Sequence, residues 1–532
     1  MGDEPMHWGT DIVIRPGPIP FRVYERRRHQ VAELLLDAAR WTDRVYLVQG
    51  ERRLTFGDVF DAVARVAARL HDAGLRPGDR LLLLTPNSPE WVITLVAGVR
   101  LGAVACLGNG WWSRDEVAHA VRLVEPSIIV TDERRRDLLP GGHTKVDVSA
   151  VRGWVDADER AEPVPQPTGD EDDPAVIVFT AGTTGPPKGV VLAHRSVIAN
   201  LHNLLAVSGR LPQQVDPARR PAVSLQSGPL FHIGGLQSLL LALLGGNTLV
   251  FLEGRFDPEQ VLDVIERERV TWWGAVPTMA SRVLDHSSLA CRDLTSVRSI
   301  SMGGAPVQPE LVRRLRAAFP NAGRGMSTIY GMTETGGTVA SASGVVMAEH
   351  PTTSGAPLPV VELRIDPADP AAAGEIVVRT PGQMVGYWGD ADADLVDADG
   401  WVHTGDLGLL SDGLLYVTGR IKDLIIRGGE NIAPAHVEAA LLTHPAVANV
   451  AVIGVPDADL GERVAAIVQV APGTQVGNAE LEDALAAFAA DRLARFEVPA
   501  QWWLRTEALP ANESGKIDKN ALRKQWASAP IR

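Results

Sequence analysis

Apolar positions fall into two alternating patterns along the chain. Between Thr55 and Ala73, Val59, Val63, Val66 and Leu70 recur every three or four residues, the spacing of one helix face. A Gly-Leu-Arg-Pro-Gly-Asp turn then leads into Leu81–Leu84, an unbroken apolar run that reads as a buried strand. The unit returns: a helix near Pro89–Gly98 before Ala103–Leu107, and one over Glu116–Val124 before Ile128–Thr131. The same alternation predicts Val261–Arg269 before Val270–Ala275, and a helix over Glu310–Phe319. Such alternation predicts an α/β fold with stacked layers. From Pro357 to Val378 short strands and turns replace it, predicting a small β subdomain. After Arg420 the pattern restarts as a compact α+β unit, with a helix opening at Pro434, strands at Val450–Val455 and Val464–Val470, and a helix over Glu480–Leu493. The expected organisation is a large multi-subdomain N-terminal domain, residues 1–421, and a small mobile C-terminal α+β domain, residues 422–532. Asp156–Asp173, acidic and carrying Pro163, Pro165 and Pro167, reads as an exposed linker.

Composition narrows the functional classes. With 51 Lys+Arg against 65 Asp+Glu the net charge is −14, which speaks against a nucleic-acid partner. Two cysteines, Cys106 and Cys291, cannot build a disulfide framework or a four-thiolate zinc site. Met1–Met6 is acidic where a signal peptide needs a basic flank. Val92–Gly108 is interrupted by Arg100, and Leu236–Leu244 is too short to span a bilayer. A cytoplasmic protein without an integral membrane segment is expected.

One segment carries a strong chemical signal. A strand, Val176–Phe179, runs into Thr180-Ala181-Gly182-Thr183-Thr184-Gly185-Pro186-Pro187-Lys188. Glycines let backbone amides form a concave anion nest, threonine hydroxyls add donors, and Lys188 adds a cation. That combination suits a nucleotide triphosphate, and it is not a Walker A loop, because two prolines separate Gly185 from Lys188. Other candidates are ambiguous singly. Glu334 reads as a solvated carboxylate or a magnesium ligand. Asp406 reads as a turn residue or a ribose acceptor, and Arg420 as a surface cation or a phosphate or ribose contact. A loop lysine such as Lys516 is ordinarily solvated, and His232 reads as a satisfied core residue or a functional group. Trp111, Trp112, Trp272 and Trp273 are read as packing. No His-Glu-x-x-His, Gly-x-Ser-x-Gly or post-strand Gly-x-Gly-x-x-Gly is present.

The 180–189 segment resembles the phosphate-binding signature of the adenylate-forming superfamily, and further segments follow in order. Pro229-Leu230-Phe231-His232 resembles the segment beside the acyl pocket, and Gly303-Gly304-Ala305-Pro306 the adenine-contacting turn. Tyr330-Gly331-Met332-Thr333-Glu334 resembles the segment holding adenine and magnesium. Gly405-Asp406 and Arg420-Ile421-Lys422-Asp423 resemble the ribose and hinge segments, and Gly428-Gly429 the thiol-tunnel loop. Gly515-Lys516 resembles the catalytic-lysine loop, while Ala181 departs from the family's usual Ser.

The resemblance implies an ATP-dependent carboxylate–CoA ligase using ATP, Mg2+ and CoA. It forms an acyl-adenylate and pyrophosphate, then a thioester. It implies catalytic roles for Lys516, Glu334, Thr184 and His232, with Glu334 on the metal. Nucleotide and thiol contacts are expected from Thr180, Gly182, Thr183, Thr184, Gly185, Lys188, Gly304, Ala305, Pro306, Tyr330, Gly331, Thr333, Asp406, Arg420, Gly428 and Gly429. A peptide-synthetase adenylation domain would carry Asp after the pocket Phe, where this chain has His232. Gly303, Gly304, Gly331, Gly336 and Gly337, with Met302, Met326 and Met332, suggest a roomy apolar pocket and a medium or long fatty acid. An aryl-CoA ligase, or an acyl-AMP ligase loading a carrier protein, is the alternative.

Overall fold

The computed structural model describes residues 8–526 except 163, 165–166, 181–185, 368–372, 390–394, 472, 475–478 and 512–515. Two large sheets face each other across a layer of helices. The first has seven strands, ordered Gly386–Tyr387, Lys188–Ala193, Pro174–Thr180, Val104–Leu107, Arg80–Leu84, Ile128–Thr131 and Thr144–Asp147. The second has nine and includes Met326–Met332, Ser299–Gly303, Trp272–Ala275 and Val223–Gln226 as successive neighbours. Leu81 and Leu83 point into the core shared with the helices, while Leu82 and Leu84 point to the opposite face. Both faces of that strand are therefore covered, as its unbroken apolar run required.

Local chemistry sets the helix ends. Thr55 caps Phe56–Asp72, and its hydroxyl accepts from the Asp58 amide while Asp58 reaches back to the Thr55 amide. Ser88 caps Pro89–Arg100, with Pro89 in the first turn. The predicted β subdomain is a four-stranded sheet of Glu362–Asp366, Gly374–Arg379, Val402–Ser411 and Leu414–Arg420. The C-terminal unit is a five-stranded sheet with helices Pro434–Leu441 and Ala479–Ala490 packed on one face. Among the described residues no helix is long and apolar enough to cross a membrane.

The acidic segment before Pro174 departs from an exposed linker at its end. Glu171 is buried, held by Arg15 and Arg27, and Asp172 pairs with Arg15 and Arg195. Four acids within Asp170–Asp173 look solvated until three arginines from distant positions converge on them.

Candidate active site

A cleft of about 3640 Å³ lies between the second sheet, the β subdomain and the C-terminal unit. A single small-molecule pocket holds roughly 300–1,000 Å³, so this cleft has room for several substrates. Thr180 ends one strand and Lys188 begins the next, and the two residues sit opposite each other in antiparallel register. Both line the cleft, so the ends of the Gly/Thr segment are fixed at its wall. Ala181, Gly182, Thr183, Thr184 and Gly185 lie outside the described residues. The Lys188 ammonium sits over the Tyr387 ring, 5.0 Å from its centre.

Glu334 is buried at the cleft wall, and its Oε1 accepts from the Tyr387 hydroxyl at 3.1 Å. Burial pushes this carboxyl above its ordinary range, since a desolvated anion seeks a counter-charge. Among the described residues no cluster of three or more His, Cys, Asp or Glu could hold a metal. A hard cation here would depend on Glu334 and on ligand oxygens. That fits magnesium, which is commonly held by one or two carboxylates plus substrate phosphates.

Asp406 and Arg420 face each other across neighbouring strands of the β subdomain. Arg420 Nε donates to Asp406 Oδ1 at 2.8 Å, and the Tyr330 hydroxyl donates to Oδ2 at 3.0 Å. Burial, with Asp406 alongside, raises the Tyr330 phenol well above its ordinary value, so it stays a donor.

Lys516 comes from the C-terminal unit and reaches Gly304. A Cβ on Gly304 would stand 3.3 Å from Lys516 Cε, and Gly304 holds φ +78°, which favours glycine. Burial lowers the Lys516 ammonium, Arg420 and Lys422 lower it further, and Asp406 and Glu334 oppose them. Lys516, Asp406, Arg420 and Glu334 thus share one electrostatic neighbourhood. His232 precedes helix Ile233–Gly245, with its ring 4.6 Å from Phe231. Burial and then Lys516 push the imidazole down to about 4, so it is neutral at pH 7. Its Nε2 is enclosed and has no partner among the described residues.

Ala305, Pro306, Gly331 and Thr333 also line the cleft. Gly428 and Gly429 do not. They form the two-residue turn between Ile425–Arg427 and Glu430–Ile432, with φ +59° and +91°. Two positive values suit a tight primed hairpin.

Three groups escaped the sequence reading. Tyr387 links Lys188 and Glu334, and nothing local in Gly386-Tyr387-Trp388 announces it. Lys422 is legible only as part of the segment that resembles the hinge, yet its ammonium, lowered by desolvation and by Arg420, also senses Asp406 and Glu334. Trp272, read as packing, lines the cleft, although Trp112 and Trp273 are core residues as expected.

The profile of the AMP-binding enzyme family matches residues 35–388, and that of the AMP-binding enzyme C-terminal domain matches 436–516. Feruloyl-CoA synthase of an Amycolatopsis species is 36% identical over 90% of this chain and 95% of its own. A fatty acid–[acyl-carrier-protein] ligase of Streptomyces coeruleorubidus is 32% identical over 89% of this chain and 92% of its own. The structure of o-succinylbenzoate coenzyme A synthetase from Bacillus subtilis, with ATP and a magnesium ion, aligns with TM-score 0.77 and 31% identity. It covers 92% of this chain and 99% of that one.

Proposed function

The chain belongs to the AMP-binding enzyme family and is an AMP-forming acid–thiol ligase, and within that reaction we propose an aromatic acid as substrate and CoA as acceptor. The observation that carries the acid is Trp272. Its indole lies along its own strand over Gly274, with Cη2 2.8 Å from where a Gly274 Cβ would be. Only glycine leaves the ring that place, and both residues line the cleft, forming a flat apolar wall suited to a planar ring. The grounds for a fatty chain weaken in parallel. Met302 and Met326 are buried in the core under the second sheet. The similarity to feruloyl-CoA synthase over most of both chains supports the aromatic reading.

In the first half-reaction a carboxylate oxygen bonds to the ATP α-phosphorus as the bridging P–O bond to the β-phosphate breaks, and pyrophosphate leaves. Little covalent help is needed, so the protein's work is alignment and neutralisation of charge. Lys516, at Gly304, approaches the α-phosphate and attacking carboxylate. Lys188 faces the departing phosphates, and Asp406 accepts from the ribose hydroxyls. Glu334 would hold magnesium, which supplies positive charge at the phosphate oxygens. In the second half-reaction the CoA sulfur bonds to the acyl carbon, the acyl C–O bond to AMP breaks, and the thiol proton is lost to solvent. Neutral His232, beside Phe231 and near enough to feel the Lys516 charge, can gate access to the carbonyl. Lys516 and the Gly428-Gly429 turn belong to the same C-terminal unit, and here only Lys516 reaches the cleft. Rotation about residues 421–423 exchanges them between half-reactions.

A panel of aromatic, long-chain and dicarboxylic acids, followed by pyrophosphate release and loss of free CoA thiol, tests this reading. Highest kcat/KM on a long-chain acid would overturn it. The similarity to a carrier-protein ligase supports a second reading, a carrier-protein thiol as acceptor. Pyrophosphate release without CoA thiol loss would favour that reading.

A further inference from the structure

The cleft-facing side of helix Ile233–Gly245 presents Gly234, Gln237, Ser238 and Leu241, spaced as a single helix face. Gln237 is the exceptional member, a side chain more than nine-tenths buried whose hydrogen bonding is only partly spent. Its neighbour Asn200 fixes its orientation. Asn200 Nδ2 donates to the Thr338 carbonyl at 2.8 Å, and that carbonyl can only accept. Asn200 therefore turns Oδ1 towards Gln237, and Gln237 Nε2 donates to it. The Gln237 carboxamide packs on Gly337, where a Cβ would come within 2.2 Å of Nε2, so the amide is clamped. Among the described residues none donates to Oε1. This oxygen is not sealed in the core, and Gln237 lines the cleft, so Oε1 opens onto it.

We infer that Gln237 is a specificity-determining residue whose Oε1 accepts a hydrogen bond from a hydroxyl or amino group carried by the acid, remote from its carboxylate. An acceptor held in a buried wall favours a substrate that brings a donor and penalises one that leaves it unpaired. Gln237 follows His232 by five positions, about 7 Å along a helix axis, the order of one aromatic ring with a short linker. Trp272 supplies the flat wall for such a ring. The inference rests on the aromatic-acid reading for the scaffold of the substrate, but the donor requirement itself does not.

The test uses two matched pairs, 4-hydroxycinnamate against cinnamate and 10-hydroxydecanoate against decanoate, with pyrophosphate release as the readout. The unmodified enzyme should prefer the hydroxylated member of the pair it accepts by about tenfold in kcat/KM, the worth of one such hydrogen bond. 4-Aminocinnamate should share that preference. In Gln237→Met, similar in length without an acceptor, the ratio should fall towards one, a change that loss of packing alone would not produce. Discrimination within the decanoate pair only would sink the aromatic reading and keep the role of Gln237. Equal rates within the accepted pair, or an undiminished ratio in Gln237→Met, would overturn the role of Gln237. Turnover of none of the four acids would overturn both.

Discussion

Asp406 offers the sharpest test of how the nucleotide is held. An ionised carboxylate has about four lone-pair sites. Two are used here, one by Arg420 Nε at 2.8 Å and one by the Tyr330 hydroxyl at 3.0 Å. Two are left for the adjacent hydroxyls of a ribose. Each charge-assisted bond is worth about 1.5–3 kcal/mol, so Asp406→Ala should weaken ATP binding by roughly 10²–10⁴-fold. The cost to the fold is smaller. Arg420 is 48% exposed and can be resolvated, while Tyr330 loses its acceptor in a part-buried site, at no more than about 1–3 kcal/mol. Calorimetric titration with ATP and urea unfolding together separate the two effects. A 2′,3′-dideoxy nucleotide closes a double-mutant cycle. The unmodified enzyme should bind it as poorly as Asp406→Ala binds ATP, and the variant should no longer distinguish the two nucleotides. An unchanged ATP Kd, or a dideoxy penalty that persists undiminished in Asp406→Ala, would refute ribose binding by this carboxylate.

Lys516→Ala should slow adenylation by at least about a hundredfold, as removal of one preorganised charge does, while transfer from supplied acyl-adenylate to CoA survives. Because burial lowers the Lys516 ammonium, the alkaline limb of adenylation in the unmodified enzyme should fall earlier than an ordinary lysine would give, and stopped-time pyrophosphate assays across pH read it directly. Tyr387→Phe keeps the ring beneath Lys188 but removes the hydroxyl on Glu334, so the Mg2+ concentration for half-maximal activity should rise about tenfold. A metal titration showing no change would remove Tyr387 from that role. His194 and His202 are buried and lowered from 6.5 to about 4, each chiefly by desolvation. Their folded-state values are depressed, so the stability they confer is complete above pH 6.5 and is lost as pH falls through about 4. His194 Nδ1 accepts from the Val31 amide, a bond that protonation breaks. At pH 5 each imidazole should have cost about 2 kcal/mol, and urea midpoints for His194→Gln should fall less steeply between pH 6.5 and 5 than those of the unmodified protein.

Sequence reading succeeded where the determining physics is local and failed where it is not. Helix Phe56–Asp72 follows from apolar spacing and a cap three residues wide. Strand Arg80–Leu84 follows from an apolar run between turns. The ligase motifs were legible because each is a short contiguous segment. Tyr387 and Glu334 are 53 residues apart, and Asn200 and Thr338 are 138 apart, so neither contact leaves a mark at either end. One ground for the fatty-acid expectation falls away for a more instructive reason. Counting glycines around the cleft as room treats an absent side chain as empty volume. A Cβ on Gly303 would come within 2.4 Å of Ile329, one on Gly331 within 1.9 Å of the Gly337 carbonyl, and one on Gly337 within 2.2 Å of Gln237. That space is already filled by neighbours that need the glycine to reach their places. These glycines, with Gly274, make the wall tight, clamping the Gln237 amide and seating the Trp272 indole through which the acid is proposed to be chosen. Reading the pocket requires the occupant of each glycine's missing side chain, and that occupant is set by the fold.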